Sequence, residues 1–155
     1  IVNKQHPSWR LDIFGEGIRR EALNGQIRRN GLAKSVTIHP FTKNIAQEYL
    51  NSSIFALSSN YEGFVLVLLE AMGCGLPCVA FDCPNGPAET IRDGEDGFLV
   101  KNGDIKAFAE ALCYFIEYKE ERKAFGRQAR ENIERYSPEA IMPMWEKLFN
   151  ELKEK

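Results

Sequence analysis

The sequence has only two histidines, His6 and His39, and its four cysteines form no CxxC pair. Zinc sites want paired Cys and His ligands at short fixed spacings, so no metal centre is expected. Cys74, Cys78 and Cys83 crowd together, while Cys113 stands apart in an amphipathic pattern. They read as small buried apolar residues whose thiols stay reduced. A basic excess is also missing: 20 Lys and Arg stand against 22 Asp and Glu, a formal net charge of -2. A dedicated nucleic-acid binder shows a clear positive excess, so no nucleic-acid partner is expected. The longest nearly uncharged apolar run is Gly63–Leu69, far short of the roughly 20 residues that span a bilayer. No signal-peptide pattern opens the chain. It starts at Ile1 rather than Met, which suits an excerpt from something longer.

What is present is ordinary for a folded protein. The 155 residues are 44% hydrophobic and 27% charged. That length suits one domain, able to bury roughly two-thirds of its unfolded surface. Short apolar runs alternate with helical patterns. Strands are expected at Arg10–Gly15, Val36–Phe41, Ile54–Ser58, Pro77–Asp82 and Gly97–Val100. Helices are expected at Ile18–Asn30 and Ile45–Leu50, and a buried one at Phe64–Met72. This alternation predicts an α/β fold, a doubly wound parallel sheet with helices on both faces. After Val100 the pattern is all-helical. Asp104 suits an N-cap, and Lys119–Arg135 reads as a polar helix with Glu131 and Arg135 placed as an i,i+4 pair. Ser137-Pro138 starts another segment, which Pro143 is expected to break, or Pro143 opens the final helix. The apolar stripe Ile141, Met144, Trp145, Leu148, Phe149 and Leu152 reads as packing, exposed in part.

The chemistry concentrates in Ser58–Gly75, SSNYEGFVLVLLEAMGCG. A strand end leads through Tyr61-Glu62-Gly63 into a helix. Its first backbone N–H groups, from Gly63 to Leu66, lack intrahelical partners and suit a phosphate. Gly63 would let an anion approach the backbone. Glu70 lies inside the apolar helix, where a carboxylate needs hydrogen-bond partners. It follows Glu62 by eight residues, about 12 Å along a helix. The two carboxylates can meet different parts of one ligand. Carboxylates only accept hydrogen bonds, so vicinal sugar hydroxyls are natural donors. Phosphate at the helix end with hydroxyls on either side describes a sugar nucleotide. A plain alternative stays open at this level: a strand-loop-helix turn whose Glu70 merely pairs with a nearby Arg.

Glu62 and Glu70 form an E-x7-E pair within EGFVLVLLEAMGCGLPCVAFD, followed by PNGPAETIRDGEDGFLV. This series resembles the donor-binding, C-terminal half of family 4 retaining glycosyltransferases of the GT-B fold. The strand with Gly15-Glu16-Gly17 and the segment Tyr49–Ser59 also fit, so the resemblance covers residues 8–150. It implies a Rossmann-like domain followed by a helical tail. It implies transfer of a sugar from a nucleotide diphosphate donor to a glycan or lipid-linked acceptor, without a metal or other cofactor. Glu70 would hold the ribose hydroxyls. Glu62 would contact the donor sugar near the reacting centre, as the catalytic residue. Backbone amides of Gly63, Phe64, Val65 and Leu66 would cradle the diphosphate. The loop Pro40–Lys43 would border the base, with Phe41 stacking on it, and Lys43 and Gly15 would complete the donor site. The resemblance further implies a cytoplasmic enzyme of polysaccharide or lipopolysaccharide biosynthesis, with peripheral association at the inner membrane face.

The sequence also departs from that family. Members begin this domain with a strand and a loop whose Arg and Lys grip the diphosphate. That segment would precede Ile1, as would the acceptor-binding N-terminal domain. Neither Arg10 nor Arg19 stands in a context to replace the missing cations, and Val65 sits where many members have Gly. This chain alone is therefore expected not to turn over, and to bind donor weakly or not at all. Lacking that strand, the Arg10–Gly15 and Ile54–Ser58 strands must close up, leave a defect or accept a swapped strand. Two other functions compete with this one. A degenerate, non-catalytic donor-like scaffold stays open for a chain that starts one strand late, although the intact Glu62/Glu70 pair argues against degeneration. A dinucleotide-binding oxidoreductase would carry a small residue at Arg20 and an acid near Ile38. His39 reads as a packing or base-loop residue. Asp82, Asn85 and Glu89 lie just past a strand end, where they could contact a donor sugar. Arg19, Arg20, Arg28 and Arg29 read as a solvated face.

Overall fold

The computed structural model describes residues 1–153. Among the described residues five strands form, all in parallel pairings: β1 Leu11–Phe14, β2 Val36–His39, β3 Phe55–Leu57, β4 Cys78–Asp82 and β5 Gly97–Lys101. Helices are α1 Val2–Gln5, α2 Arg20–Arg29, α3 Ile45–Leu50, α4 Leu66–Gly73, α5 Pro87–Thr90, α6 Ile105–Glu117, α7 Lys119–Asn132 and α8 Pro138–Lys153. A 3-10 helix, Ile133–Tyr136, joins α7 to α8. The α/β class is as expected from the alternation of runs.

The strands do not form one continuous sheet. β1 pairs with β2, while β3, β4 and β5 form a separate sheet in that order. β1 and β3 are not hydrogen-bonded to each other, so the two sheets neither close up nor share a strand. They are joined instead by a strap of short contacts from the N-terminal segment. Asn3 donates to Ser35 Oγ (2.7 Å), beside the start of β2. The Cys113 thiol donates to Gln5 Oε1 (3.1 Å), His6 meets Glu117 (3.1 Å), and Arg122 lies over the Trp9 ring (5.1 Å).

β4 is the spine of the larger sheet and is buried along Cys78–Phe81 on both faces, which is why it lacks the polar alternation of a one-sided strand. Cys78 and Ala80 face a core with Tyr49, Val65, Leu68, Ala71, Met72, Ile91 and Ala129. Val79 and Phe81 face the other core, with Val100, Phe108 and Phe115. That second core is aromatic: Phe98 stacks on Phe115 (4.8 Å) and meets Phe125 (5.2 Å). At fully buried sites such as Phe115, truncation to Ala costs about 3–5 kcal/mol.

Three expectations about the helices need correction. Pro143 neither breaks nor opens a helix: α8 runs through it. Most of its stripe is unpacked: Met144, Trp145, Leu148, Phe149 and Leu152 are exposed and Ile141 is half-buried; Trp145 stacks on Phe149, 5.7 Å away on the same helix. Arg135 makes no i,i+4 pair. The chain has tightened into the 3-10 helix there, which turns Arg135 onto the carbonyls of Thr90 (2.6 Å) and Glu89 (3.2 Å). The Asp104 cap forms as expected, Oδ1 accepting from Ala107 N–H at 3.0 Å.

Candidate functional site

The carboxyl ends of parallel strands are where such sheets bind ligands, because loops and helix N-termini converge there. After β3 the chain runs through Ser58–Val65 and enters α4 at Leu66, two residues later than expected. Val65 is the N-cap, and its carbonyl accepts from Leu68 (3.0 Å) and Leu69 (3.4 Å). The N–H groups of Gly63, Phe64, Val65 and Val67 have no backbone or side-chain acceptor among the described residues. Leu66 N–H is turned back to Phe64 O at 3.2 Å. Of the expected cradle, Gly63 and Phe64 thus offer open donors and Val67 joins them; Leu66 is engaged locally, and the unpartnered Val65 N–H is covered, since Val65 is packed against Gly86. Gly63 has no atom near its Cβ position, so an anion can approach it closely.

The helix is amphipathic rather than wholly buried. Leu68, Ala71 and Met72 enter the core, while Leu66, Val67 and Glu70 lie outside. Glu70 makes no pair with an Arg. Its Oε2 accepts from the Tyr49 hydroxyl at 3.1 Å, and its Oε1 has no partner among the described residues. Tyr49 comes from α3 and is 7% exposed, its ring meeting the Phe55 ring edge-on at 5.7 Å. Burial, and then the negative Glu70 beside it, push the Tyr49 phenol above its ordinary value. Glu62 lies half-buried on the loop before α4, close enough to Cys83 to help raise that thiol, after burial.

Val65, 1% exposed, anchors the start of α4. It packs against Gly86 in the loop after β4. A Cβ at Gly86 would collide with Val65 Cγ2, and the φ of +132° there also demands glycine. Asn85 precedes it at φ 63°. The loop leads into α5, whose end is tied down by Arg135 and by the Tyr136 hydroxyl donating to Glu89 O (2.7 Å). Fully buried Asp96 accepts from Arg92 N–H (2.8 Å) and Asn132 Nδ2 (2.9 Å).

The smaller sheet carries the remaining expected residues, Gly15, Phe41 and Lys43, on the loops at its carboxyl ends. β1 ends at Gly15, φ +146°, whose N–H donates to His39 O at 3.2 Å. Arg20 is not a solvated charge. Its guanidinium donates to the carbonyls of Gly15 (3.1 Å), His39 (3.0 Å) and Ile38 (2.7 Å), clamping both strand ends. His39 pairs with Asp12 (2.7 Å) and stacks on Phe14 (4.6 Å). The loop beyond β2 presents Phe41, 68% exposed, and the exposed Lys43.

Residues 1–132 match the model of the family described as glycosyl transferases group 1. The chain belongs to that family. Among its relatives is an exopolysaccharide phosphotransferase of Streptomyces coelicolor, 40% identical over 95% of this chain and 16% of that protein. Another is the amylovoran biosynthesis glycosyltransferase AmsD of Erwinia amylovora, 37% identical over 96% of this chain and 41% of that protein. A crystal structure of an S. aureus TarM variant, held with UDP among other ligands, superposes with a TM-score of 0.91. It is 32% identical over 96% of this chain and 30% of that one. The chain thus spans well under half the length of these relatives. The fold of this group 1 glycosyl transferase chain is the Rossmann-like α/β unit of the GT-B enzymes.

Two contributors to the site were not read from the sequence. Tyr49 sits in a helix whose apolar positions look like core, and nothing local marks its hydroxyl as Glu70's partner. Arg20 lies among other arginines on α2, and only the parallel register of β1 and β2 shows its carbonyl targets.

Proposed function

We propose that this chain holds the nucleotide diphosphate-sugar donor of a retaining glycosyl transfer reaction. The observation that carries the reading is the set of unpartnered groups around the start of α4: exposed N–H groups at Gly63, Phe64 and Val67, and an unpartnered carboxylate oxygen of the exposed Glu70. In this reading the diphosphate sits against the amides and the helix dipole. Glu70 accepts from the ribose hydroxyls, Phe41 stacks on the base, and Lys43 and Gly15 border it. Glu62 accepts from hydroxyls of the donor sugar beside the reacting carbon. An acceptor hydroxyl forms a new bond to the anomeric carbon as the bond to the phosphate oxygen breaks. The leaving diphosphate keeps the electron pair and gains a proton. Its developing charge falls where the amides point, so they stabilise the transition state more than the ground state.

The acceptor, a glycan or lipid-linked sugar, is read by a further domain, and the intact enzyme works in the cytoplasm at a membrane face. Among the described residues no helix is long and apolar enough to cross a membrane. This chain alone binds donor weakly and does not turn over.

The test is made in the intact enzyme. Glu62→Ala lowers turnover by roughly 10²-fold, the usual cost of misplacing a reacting group, with little change in the thermal midpoint. Glu70→Ala raises the donor KM. If UDP and GDP both fail to bind, and Glu70→Ala changes nothing, a scaffold without chemistry replaces this reading. Equal losses of turnover and stability in Glu62→Ala would make Glu62 structural.

A further inference from the structure

We infer that Tyr49 is a positioning residue that fixes the Glu70 carboxylate so that its second oxygen faces a ribose diol. The inference rests on the reading that Glu70 receives the nucleotide's ribose.

Glu70 lies on the exposed face of α4, where a glutamate samples several rotamers freely. A ligand would then have to freeze that freedom on binding, at up to about 1.5–2 kcal/mol. Here one oxygen is already held, since the Tyr49 hydroxyl donates to Oε2 at 3.1 Å. The other, Oε1, is left as an acceptor. A diol presents two donors close together, and a carboxylate with one oxygen fixed meets them in a set orientation.

The donor cannot swing away. Tyr49 is buried, and its ring is held edge-on by Phe55. Its hydroxyl has no other partner among the described residues, and it stands in the same core as Leu68 and Met72 of α4 itself. No Lys, Arg or His among the described residues pairs with Glu70, so the phenol is the group that orders the carboxylate. This arrangement also explains why a Tyr stands on the buried face of α3. A Phe would fill the same core space and leave Glu70 untethered.

The experiment measures UDP and GDP binding by calorimetry in the intact enzyme, using wild type, Tyr49→Phe, Glu70→Ala and the double variant. The thermal midpoint is recorded for each. Tyr49→Phe keeps the ring and its packing. It is expected to weaken the nucleotide by about tenfold, the size of one hydrogen bond to a charged group. The loss should disappear in the Glu70→Ala background and with a 2′,3′-dideoxy nucleotide. Three results separate the ideas. If Glu70→Ala leaves affinity intact, the ribose reading of Glu70 fails and this inference falls with it. If Glu70→Ala weakens binding but Tyr49→Phe does not, the inference alone is overturned. If Tyr49→Phe weakens binding as much without Glu70 as with it, Tyr49 acts through the fold, and the positioning role is rejected.

Discussion

At Gly86 two demands coincide. The backbone there lies at φ +132°, and the space a side chain would take is filled by Val65. Since Val65 is the N-cap of α4, its position sets where the open amides point. Gly86→Ala should therefore cost about 1–3 kcal/mol from backbone strain, read as a lower thermal midpoint. It should also weaken UDP or GDP, because displacing Val65 turns the amides. Adding Val65→Ala should recover part of the nucleotide affinity but not the strain. If affinity stays at the wild-type level in Gly86→Ala, the packing does not set the cradle. Of these residues the sequence shows Glu62 and Glu70 plainly, because carboxylates at that spacing around an apolar run need a reason. It does not show Gly86, whose need appears only once the loop after β4 is laid against α4. Nor does it show Tyr49, whose hydroxyl is invisible in a hydrophobic pattern.

The elements were legible in type and less so at their ends. β1 to β5 fall where the apolar runs placed them; β1 to β4 are shorter by one or two residues, and β5 runs one residue further, to Lys101. Strand ends open into loops as soon as neighbouring pairing stops, and pairing is non-local information. α4 begins two residues late because Val65 takes the N-cap with a non-helical backbone, so the apolar run overstates the helix. α5 shows how a four-residue helix too short to stand alone is held. Arg135 and Tyr136 bind its last carbonyls, and Asp96 holds the N–H that follows. Arg135→Ala removes two carbonyl contacts and should cost about 1–2 kcal/mol. Amide exchange should quicken at Thr90 and Ile91 and stay slow in α6. Unchanged exchange at those two amides would show that packing, not Arg135, holds α5.

For the whole molecule, charge near neutrality leaves pH stability to a few buried groups. Tyr49 is one. Its folded pKa lies above the ordinary 10.0 because burial and Glu70 both disfavour the phenolate. A raised pKa contributes stability that is complete below pH 10 and declines as the pH climbs toward the folded value. Unfolding free energy should thus fall more steeply above pH 10 in wild type than in Tyr49→Phe. Denaturant titrations at pH 8 to 11 measure this, and parallel curves for the two proteins would remove Tyr49 from the account.

The proposed donor site draws its residues from the loops of both sheets. Phe41 and Lys43 follow the smaller sheet, while the open amides and Glu70 belong to the larger one. A nucleotide bound in this way would touch the loop after β2 and the start of α4 at once. Its base and its phosphates would each gain from the other's docking, so the two ends of the ligand would bind cooperatively.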